Sequence, residues 1–497
     1  MQTKLIDLQS QQTDCRQTNR LLKRPKSATA PKNHLTVVLP RGEAIRNFVY
    51  TDCLAQISTA AKVSLLTVSP NAKMNRMFGE KFEDVRRLED HDEKWIVHLA
   101  REILDLAHNR WLWSKAAQHR WHLREIEAND WRGRAVRLAK KTIGFPFANR
   151  RGLRLLSKIE RAASHRLKTT DAYLKLFQET KPSLVFNGSH VHSQVATQAI
   201  QAAQWLGIPT ATFVFSWDNL TSQGRIMLPY DYFLVWNEQL KAQFLKMYDQ
   251  VRPEQVFVTG TPQFDFHFRP EFYQSRAEFC ASIGADPERP IVLYSTGMAN
   301  HMPDEPEIVE EIARFLGEIG GSPQPQLLVR VYPKDLTNRF EDLKKRRPEI
   351  LFPVVAWEQS WLTPKFEDSF ALVNALRHCA LGINVASTVS LELCMFDKPV
   401  INVGYNPASV DQKLLSYADY YDFDHYRPIV ESGAVAVARN REQMRNLIRE
   451  SLCEPKKQSL ARRELLQKMF GTTLDGRSSE RVADCLLNLA ASGKKFE

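Results

Sequence analysis

Two Rossmann-like, doubly wound α/β domains facing a cleft, the first with a helical insertion, are predicted by three features of this 497-residue sequence. Short apolar runs alternate with helix-length stretches from Leu35 onward, the pattern of parallel strands joined by crossover helices. An irregular aromatic segment, TPQFDFHFRPEFYQ, interrupts that alternation before it restarts, and it places a domain boundary at residue 265. The chain is also too long for one core, at the usual ~100–200 residues per domain. A hydrophobic content of 43% and a charged content of 25% are ordinary globular values, so most of the chain is expected to bury a core.

Residues 1–33, rich in Gln, Thr, Lys and Arg, read as a disordered basic tail rather than an export signal, because no apolar run of signal length occurs there. The N-terminal domain, 34–265, opens with the strand LTVVLP, a turn at RGEAIRNF, the helix YTDCLAQISTAA and the strand VSLLTV. Helical spacing with many Trp, Arg and Leu then marks a lobe over about 84–177, broken near Gly144 and Pro146. The alternation resumes with the strands LVFNG, IPTATFVF, YFLVW and QVFVTG, separated by the helix HSQVATQAIQAAQWLG, the loop SWDNLTSQGRI and the helix NEQLKAQFLKMY. The C-terminal domain, 266–497, repeats the scheme. Its strands are IVLYSTG, QLLVRVYP, ALGINVA and PVINVGY, its helices include EIVEEIARFLGEIG and TVSLELCMF, and its last helices are expected to pack back toward the N-terminal domain.

Several function classes are disfavoured. No apolar stretch approaches the ~20 residues that span a bilayer. Seven scattered cysteines without a CxxC pair argue against a disulfide framework or a zinc site and for a reducing cytoplasm. No P-loop, GxSxG, HExxH or GxGxxG sequence is present. The two D-x-D patterns, Asp90-His-Asp92 and Asp422-Phe-Asp424, follow no strand, so no metal site is expected.

The net charge of +11 is concentrated: between Arg101 and Arg161, 15 Lys/Arg stand against 6 Asp/Glu, leaving +9. This stretch is either a solvated helical face or a surface for an anionic membrane, and Trp95, Trp111, Trp113, Trp121 and Trp131 either fill the lobe's core or meet that membrane. Nucleic acid is disfavoured as a partner, since it would leave a strand-end cleft unused.

In open parallel sheets ligands bind beyond the carboxyl ends of strands, so the residues after each strand are the candidates. Asn384, Ser387 and Thr388 follow ALGINVA at the start of a helix that also holds Ser390 and Glu392. Either the first-turn N–H groups hold a phosphate and Glu392 a ribose, or the hydroxyls only cap the helix. Arg330 and Lys334 could supply charge, and Thr296 and Gly297 follow the first strand of the second half, where a nucleotide would approach the backbone. Asp218 is either a general base or the centre of an Asx turn, beside Trp217 and Asn219. His190, His192, His425 and Arg427 either face the cleft or pack structurally.

The segment Asn384-Val-Ala-Ser-Thr-Val-Ser-Leu-Glu-Leu-Cys-Met-Phe-Asp-Lys-Pro-Val-Ile resembles the donor-binding segment of GT-B glycosyltransferases, and UDP-N-acetylglucosamine 2-epimerases and CDP-glycerol-type polyol-phosphate transferases have related segments. Arg330-Val-Tyr-Pro-Lys-Asp is similar to their Arg-x-His-Pro-x-Asp strand end, with Tyr332 in the place of the histidine. Ser216-Trp-Asp-Asn-Leu-Thr-Ser-Gln-Gly looks like a motif of bacterial surface-polysaccharide glycosyltransferases, and Leu474-Asp-Gly-Arg-Ser-Ser-Glu-Arg resembles their closing helix. The loop holding Glu43 resembles the Gly-Glu loop in which bacterial Kdo transferases place a catalytic glutamate. The resemblance implies a cytoplasmic, metal-independent transferase, peripheral at the inner face of the membrane and without a cofactor. It would move a sugar from a nucleotide-sugar donor in the C-terminal half to a lipid-linked or polysaccharide acceptor. Polyol-phosphate transfer and UDP-sugar 2-epimerisation are the alternatives.

Overall fold

The computed structural model describes residues 33–68, 76, 78, 79, 82, 84–89, 93–127, 130–191, 194–222, 225, 226, 228–319, 323–358, 363–407 and 416–495. All but the last residue of the expected basic tail, together with Asp90, Asp92 and His192, lie outside the described residues. The first half contains β1 (His34–Leu39), β2 (Lys62–Thr67), β3 (Asp84–Arg87), β4 (Leu184–Asn187), β5 (Thr210–Phe213), β6 (Tyr232–Val235) and β7 (Val256–Val258). They form one parallel sheet in the order 3-2-1-4-5-6-7.

The second half contains β8 (Ile291–Ser295), β9 (Gln326–Arg330), the short antiparallel pair β10 (Trp357–Glu358) and β11 (Thr363–Pro364), then β12 (Leu381–Asn384), β13 (Val400–Val403) and β14 (Ala436–Ala438). Its parallel sheet runs 14-13-12-8-9. Both sheets reverse their strand order around a central strand, β1 in one and β8 in the other, as doubly wound folds do. The alternation of strand and helix therefore predicts the fold class. It misses β3 and β14, which are short edge strands with half-exposed or charged residues.

The central strands are apolar on both faces because helices cover both: Val37 and Phe186 on one face and Val38 and Val185 on the other, like Leu293 and Val292 in the second sheet, are all fully buried. Packing fixes one glycine near the second half's ligand edge. A Cβ on Gly382 would lie 2.1 Å from Leu393 Cδ1, so only glycine lets helix Val389–Met395 close onto β12. The two halves are crossed by the 3₁₀ segment Pro262–Phe268, whose Asp265 accepts hydrogen bonds from the Ser478 and Ser479 amides at 3.0 and 2.7 Å. The helix those amides begin, Ser478–Ser492, runs back against helix Cys53–Ala60 of the first half.

The lobe is built from helices Trp95–Leu112, Lys115–Glu127, Trp131–Gly144 and Arg150–Arg166. Their polar composition would not by itself hold them together. A buried ion cluster ties the first of them to the last: Arg101, 3% exposed, donates to Glu93 at 2.7 and 2.8 Å and to Glu160 at 2.8 Å. Helix Thr197–Trp205 joins that network through Gln201, which accepts from Ser164 at 2.6 Å. Removing one partner of a buried cluster strands the other charge, at a cost of about 3–5 kcal/mol. Arg101→Ala is therefore expected to lower urea stability by that amount, read by far-ultraviolet circular dichroism; an unchanged midpoint would show that the cluster is solvated.

Candidate active site

The carboxyl ends of the two sheets face one another across a cavity of about 860 Å³. Much of its wall is strand ends. Pro40, Arg41, Gly42 and Glu43 follow β1, Val191 follows β4, and Ser216, Asp218 and Asn219 follow β5. From the second half come Thr296 after β8, Val331 to Lys334 after β9, and Ser387 and Thr388 after β12. A further wall is the lobe helix Lys115–Glu127, which contributes Ala116, His119, Arg120, Leu123 and Arg124.

RGEAIRNF is not a turn. Residues Gly42–Ile45 form an α-helical turn that continues as the π-helical turn Arg46–Tyr50, and this carries Glu43 and Arg46 to the cavity from one face. The Glu43 carboxylate accepts from Arg41 at 2.7 and 2.9 Å and also pairs with Lys334 of the other half. Burial alone would raise its pKa, but the two cations outweigh burial and hold it down at about 2. A carboxylate so committed is a poor proton acceptor. The structure thus gives Glu43 the part of a clamp between the halves, rather than the general base that its Gly-Glu loop suggests.

Arg330 donates to both oxygens of Asp368 at 2.9 Å, and Trp357 Nε1 donates to the same carboxylate at 2.9 Å, so the guanidinium is oriented at the rim. Arg46 donates to Asn47 and Gln263 at 3.1 and 2.9 Å and has no carboxylate within ion-pair distance among the described residues. Asp218 lines the cavity and accepts from Ser222 Oγ at 2.6 Å. Glu392, one turn into its helix, lines the cavity and meets His267 Nε2 at 2.9 Å.

Other expectations are corrected. The helix that Ser387 opens has its first amides engaged: Asn384 Oδ1 accepts from the Ser387 amide at 3.3 Å, Ser387 Oγ from Val389 at 3.2 Å, and the Ser387 carbonyl from Ser390 at 3.0 Å. Capping thus takes up N–H groups expected to hold phosphate, although Ser387 and Thr388 still line the cavity. Asn384 and Ser390 are fully buried and outside the lining; with Asn402 and Tyr426 they form a structural network beneath it. Gly297 is also outside the lining. Its amide donates to Glu305 at 2.9 and 3.0 Å and its Cβ direction is filled by Met302 Sδ, while Thr296 Oγ1 accepts from the Tyr332 amide at 2.7 Å.

Trp217 bridges the halves by donating to Thr388 Oγ1 at 3.3 Å, edge-on to His425, which bonds Thr221 at 3.0 Å. Neither ring lines the cavity. His190 braces the β5 end through Phe213 O and Phe215 N at 3.2 and 3.3 Å. Asp422 is an exposed partner of Lys115 at 3.0 Å. Among the described residues, no group of three or more His, Cys, Asp or Glu side chains is placed to hold a metal ion, and no helix is long and apolar enough to cross a membrane.

Sequence reading missed a cluster spanning the cleft. His119 Nε2 and His301 Nδ1 both meet Tyr420 Oη, at 3.1 and 3.2 Å, and all three line the cavity. They come from three distant segments, so no local motif joins them.

The arrangement of two parallel sheets closing on one cleft has solved counterparts. The fold is GT-B. A UDP-N-acetylglucosamine 2-epimerase structure matches with a TM-score of 0.52 at 14% identity, covering 94% of this chain and 100% of that chain. The UDP-GlcNAc 2-epimerase of Neisseria meningitidis bound to UDP-GlcNAc matches at 0.51 and 11%, covering 92% and 100%. That of Methanocaldococcus jannaschii matches at 0.51 and 14%, covering 92% and 99%. No family model and no curated protein sequence matches the chain.

Burial, followed by the charges of His301 and His122, pushes His119 down to about 4 from 6.5. The folded GT-B cleft therefore holds a neutral imidazole that the unfolded chain would protonate. Stability from this group is complete above pH 6.5 and is lost as pH falls toward 4. The thermal midpoint at pH 7 is expected to exceed that at pH 5, and His119→Gln, which keeps a hydrogen-bond partner for Tyr420, should narrow the gap. An equal gap in the variant would remove His119 as its source.

Proposed function

We propose that the chain is a nucleotide-sugar-dependent glycosyltransferase whose donor lies in the interdomain cavity. The observation that carries this reading is the cavity's charge. Six Arg and Lys line it against four Asp and Glu, and the cations come from both halves. That excess matches the charge of a nucleoside diphosphate group, whose oxygens Arg46, Arg330 and Lys334 would receive. Glu392, with its second carboxylate oxygen free of the His267 contact, would accept from ribose hydroxyls.

In transfer, an acceptor hydroxyl oxygen attacks the anomeric carbon and the bond from that carbon to the phosphate oxygen breaks. Asp218 takes the hydroxyl proton, and the diphosphate departs against the three cations. The volume of about 860 Å³ supports a second substrate, since it lies near the upper end of the range that single ligands occupy. A lipid-linked or polysaccharide acceptor at an anionic membrane surface is supported by the lobe, where Trp131 and Leu138, 74% and 65% exposed, alternate with Arg132, Arg134 and Lys140.

A second reading, UDP-sugar 2-epimerisation, is favoured by what the matching folds are said to do. It needs no acceptor and releases an epimer. UDP-GlcNAc is therefore the first ligand to test.

Nucleotide and nucleotide-sugar binding is read by thermal shift, since a ligand of the folded state stabilises it by RT ln(1 + [L]/Kd). Arg46→Ala and Lys334→Ala are expected to weaken a stabilising nucleotide roughly 10- to 100-fold, the worth of a charged hydrogen bond. Asp218→Asn should hold that affinity while lowering turnover roughly 100- to 10,000-fold. Product analysis then separates a transferred sugar from a free epimer. No shift with any nucleotide or UDP-sugar would overturn both readings.

A further inference from the structure

A second cavity, of about 380 Å³, shares no lining residue with the cleft. It lies at the other end of the same sheet, where Tyr230 and Asp231 lead into β6 and Gln255 into β7, and is roofed by helices Trp95–Leu112 and Arg150–Arg166 of the lobe. Its walls are apolar, with Leu104, Leu153, Leu228, Phe244 and Met247 among them. Its lining is otherwise basic: six Arg and Lys against the single Asp231.

Several of these cations are already neutralised. Arg225 pairs with Asp105 at 2.7 Å, and Arg150 and Arg154 share Asp249 at 2.9 and 3.3 Å. Lys158 and Arg161 have no carboxylate within ion-pair distance among the described residues, and both stand on helix Arg150–Arg166 at the cavity edge. A second observation points to a ligand. His108 lines the cavity at 3% exposure, and among the described residues neither of its ring nitrogens has a hydrogen-bond partner. Burial, helped by Arg225 and Arg120, pushes its pKa to about 3, so it is a neutral imidazole with both an N–H and a lone pair unsatisfied. Leaving buried polar groups unmet is costly, which makes this cavity unlike a packing void.

We propose that this cavity binds an anionic amphiphile with one acyl chain, its tail among the apolar walls, its carboxylate or phosphate on Lys158 and Arg161, and a polar atom on His108. The volume is within the range of ligand sites, about 300–1,000 Å³, and has no room for the two chains of a phospholipid. The proposal holds whichever reaction the cleft performs.

The test is displacement of a fluorescent fatty acid, cis-parinaric acid, from the full chain by laurate, lauroyl lysophosphatidate and neutral dodecanol. The two anions are expected to displace it, with dodecanol roughly tenfold weaker, the worth of one partly buried charge contact. The tighter anion identifies the source as free fatty acid or lipid phosphate. Leu153→Trp, which fills the cavity, and Lys158→Glu, an exposed change that the fold tolerates, should each weaken the anions about tenfold, while the nucleotide-induced thermal shift stays as in the parent. Failure of both anions to displace the probe, equal displacement by dodecanol, or undiminished affinity in both variants would overturn the proposal.

Discussion

A single carboxylate, that of Glu43, holds together much of what makes the cleft a site. It leaves β1 on a helical turn, accepts Arg41 from its own loop and meets Lys334 across the domain gap. Burying one charge beside two opposite ones offsets the desolvation that a lone buried carboxylate would suffer, so the halves gain from staying closed. Closure in turn brings β5 and β12 within contact through Trp217 and Thr388, and the lobe onto Tyr420 through His119. The same pairing decides where an anion goes. With Arg41 and Lys334 sharing Glu43, and Arg330 occupied by Asp368, Arg46 is one of the lining cations left without a carboxylate among the described residues, so under the proposed reading it would draw an incoming diphosphate to the first half's wall.

Much of this was legible in the sequence. Parallel strands covered on both faces are short apolar runs, and their carboxyl ends can be located without knowing the register, so Asp218, Glu43, Arg330, Lys334, Thr296, Ser387, Thr388 and Glu392 could be picked out one strand end at a time. The same rule over-reaches. It cannot separate a side chain that faces the ligand from one that faces the layer beneath: Ser390 and Asn384 lie along the same segment as Thr388, yet they point into the Asn402 and Tyr426 network.

What stayed hidden depends on contacts between segments distant in sequence. Arg101 reads as one more charge in a basic run, and only the fold reveals that it is buried between two glutamates. RGEAIRNF lacks the length for a helical period, so its glycine invites a turn; the chain instead winds it into a helix because Phe48 packs edge-on to Phe186 and Phe213 beneath the sheet's central strands. The lobe's reversal at Trp113 has no glycine, although its φ of +38° is in the left-handed region. An edge-on contact with Trp121 and the Arg110 guanidinium over its ring support a conformation that a bulky residue otherwise avoids.

That reversal connects the two cavities. Before it, helix Trp95–Leu112 gives Leu104, His108 and Trp111 to the smaller cavity; after it, helix Lys115–Glu127 gives His119, Arg120 and Leu123 to the interdomain cleft. Arg120 donates back to Asn109, one residue from His108, which ties the two helices together across the reversal. The lobe therefore walls both cavities at once, with one helix on each side of the Trp113 reversal.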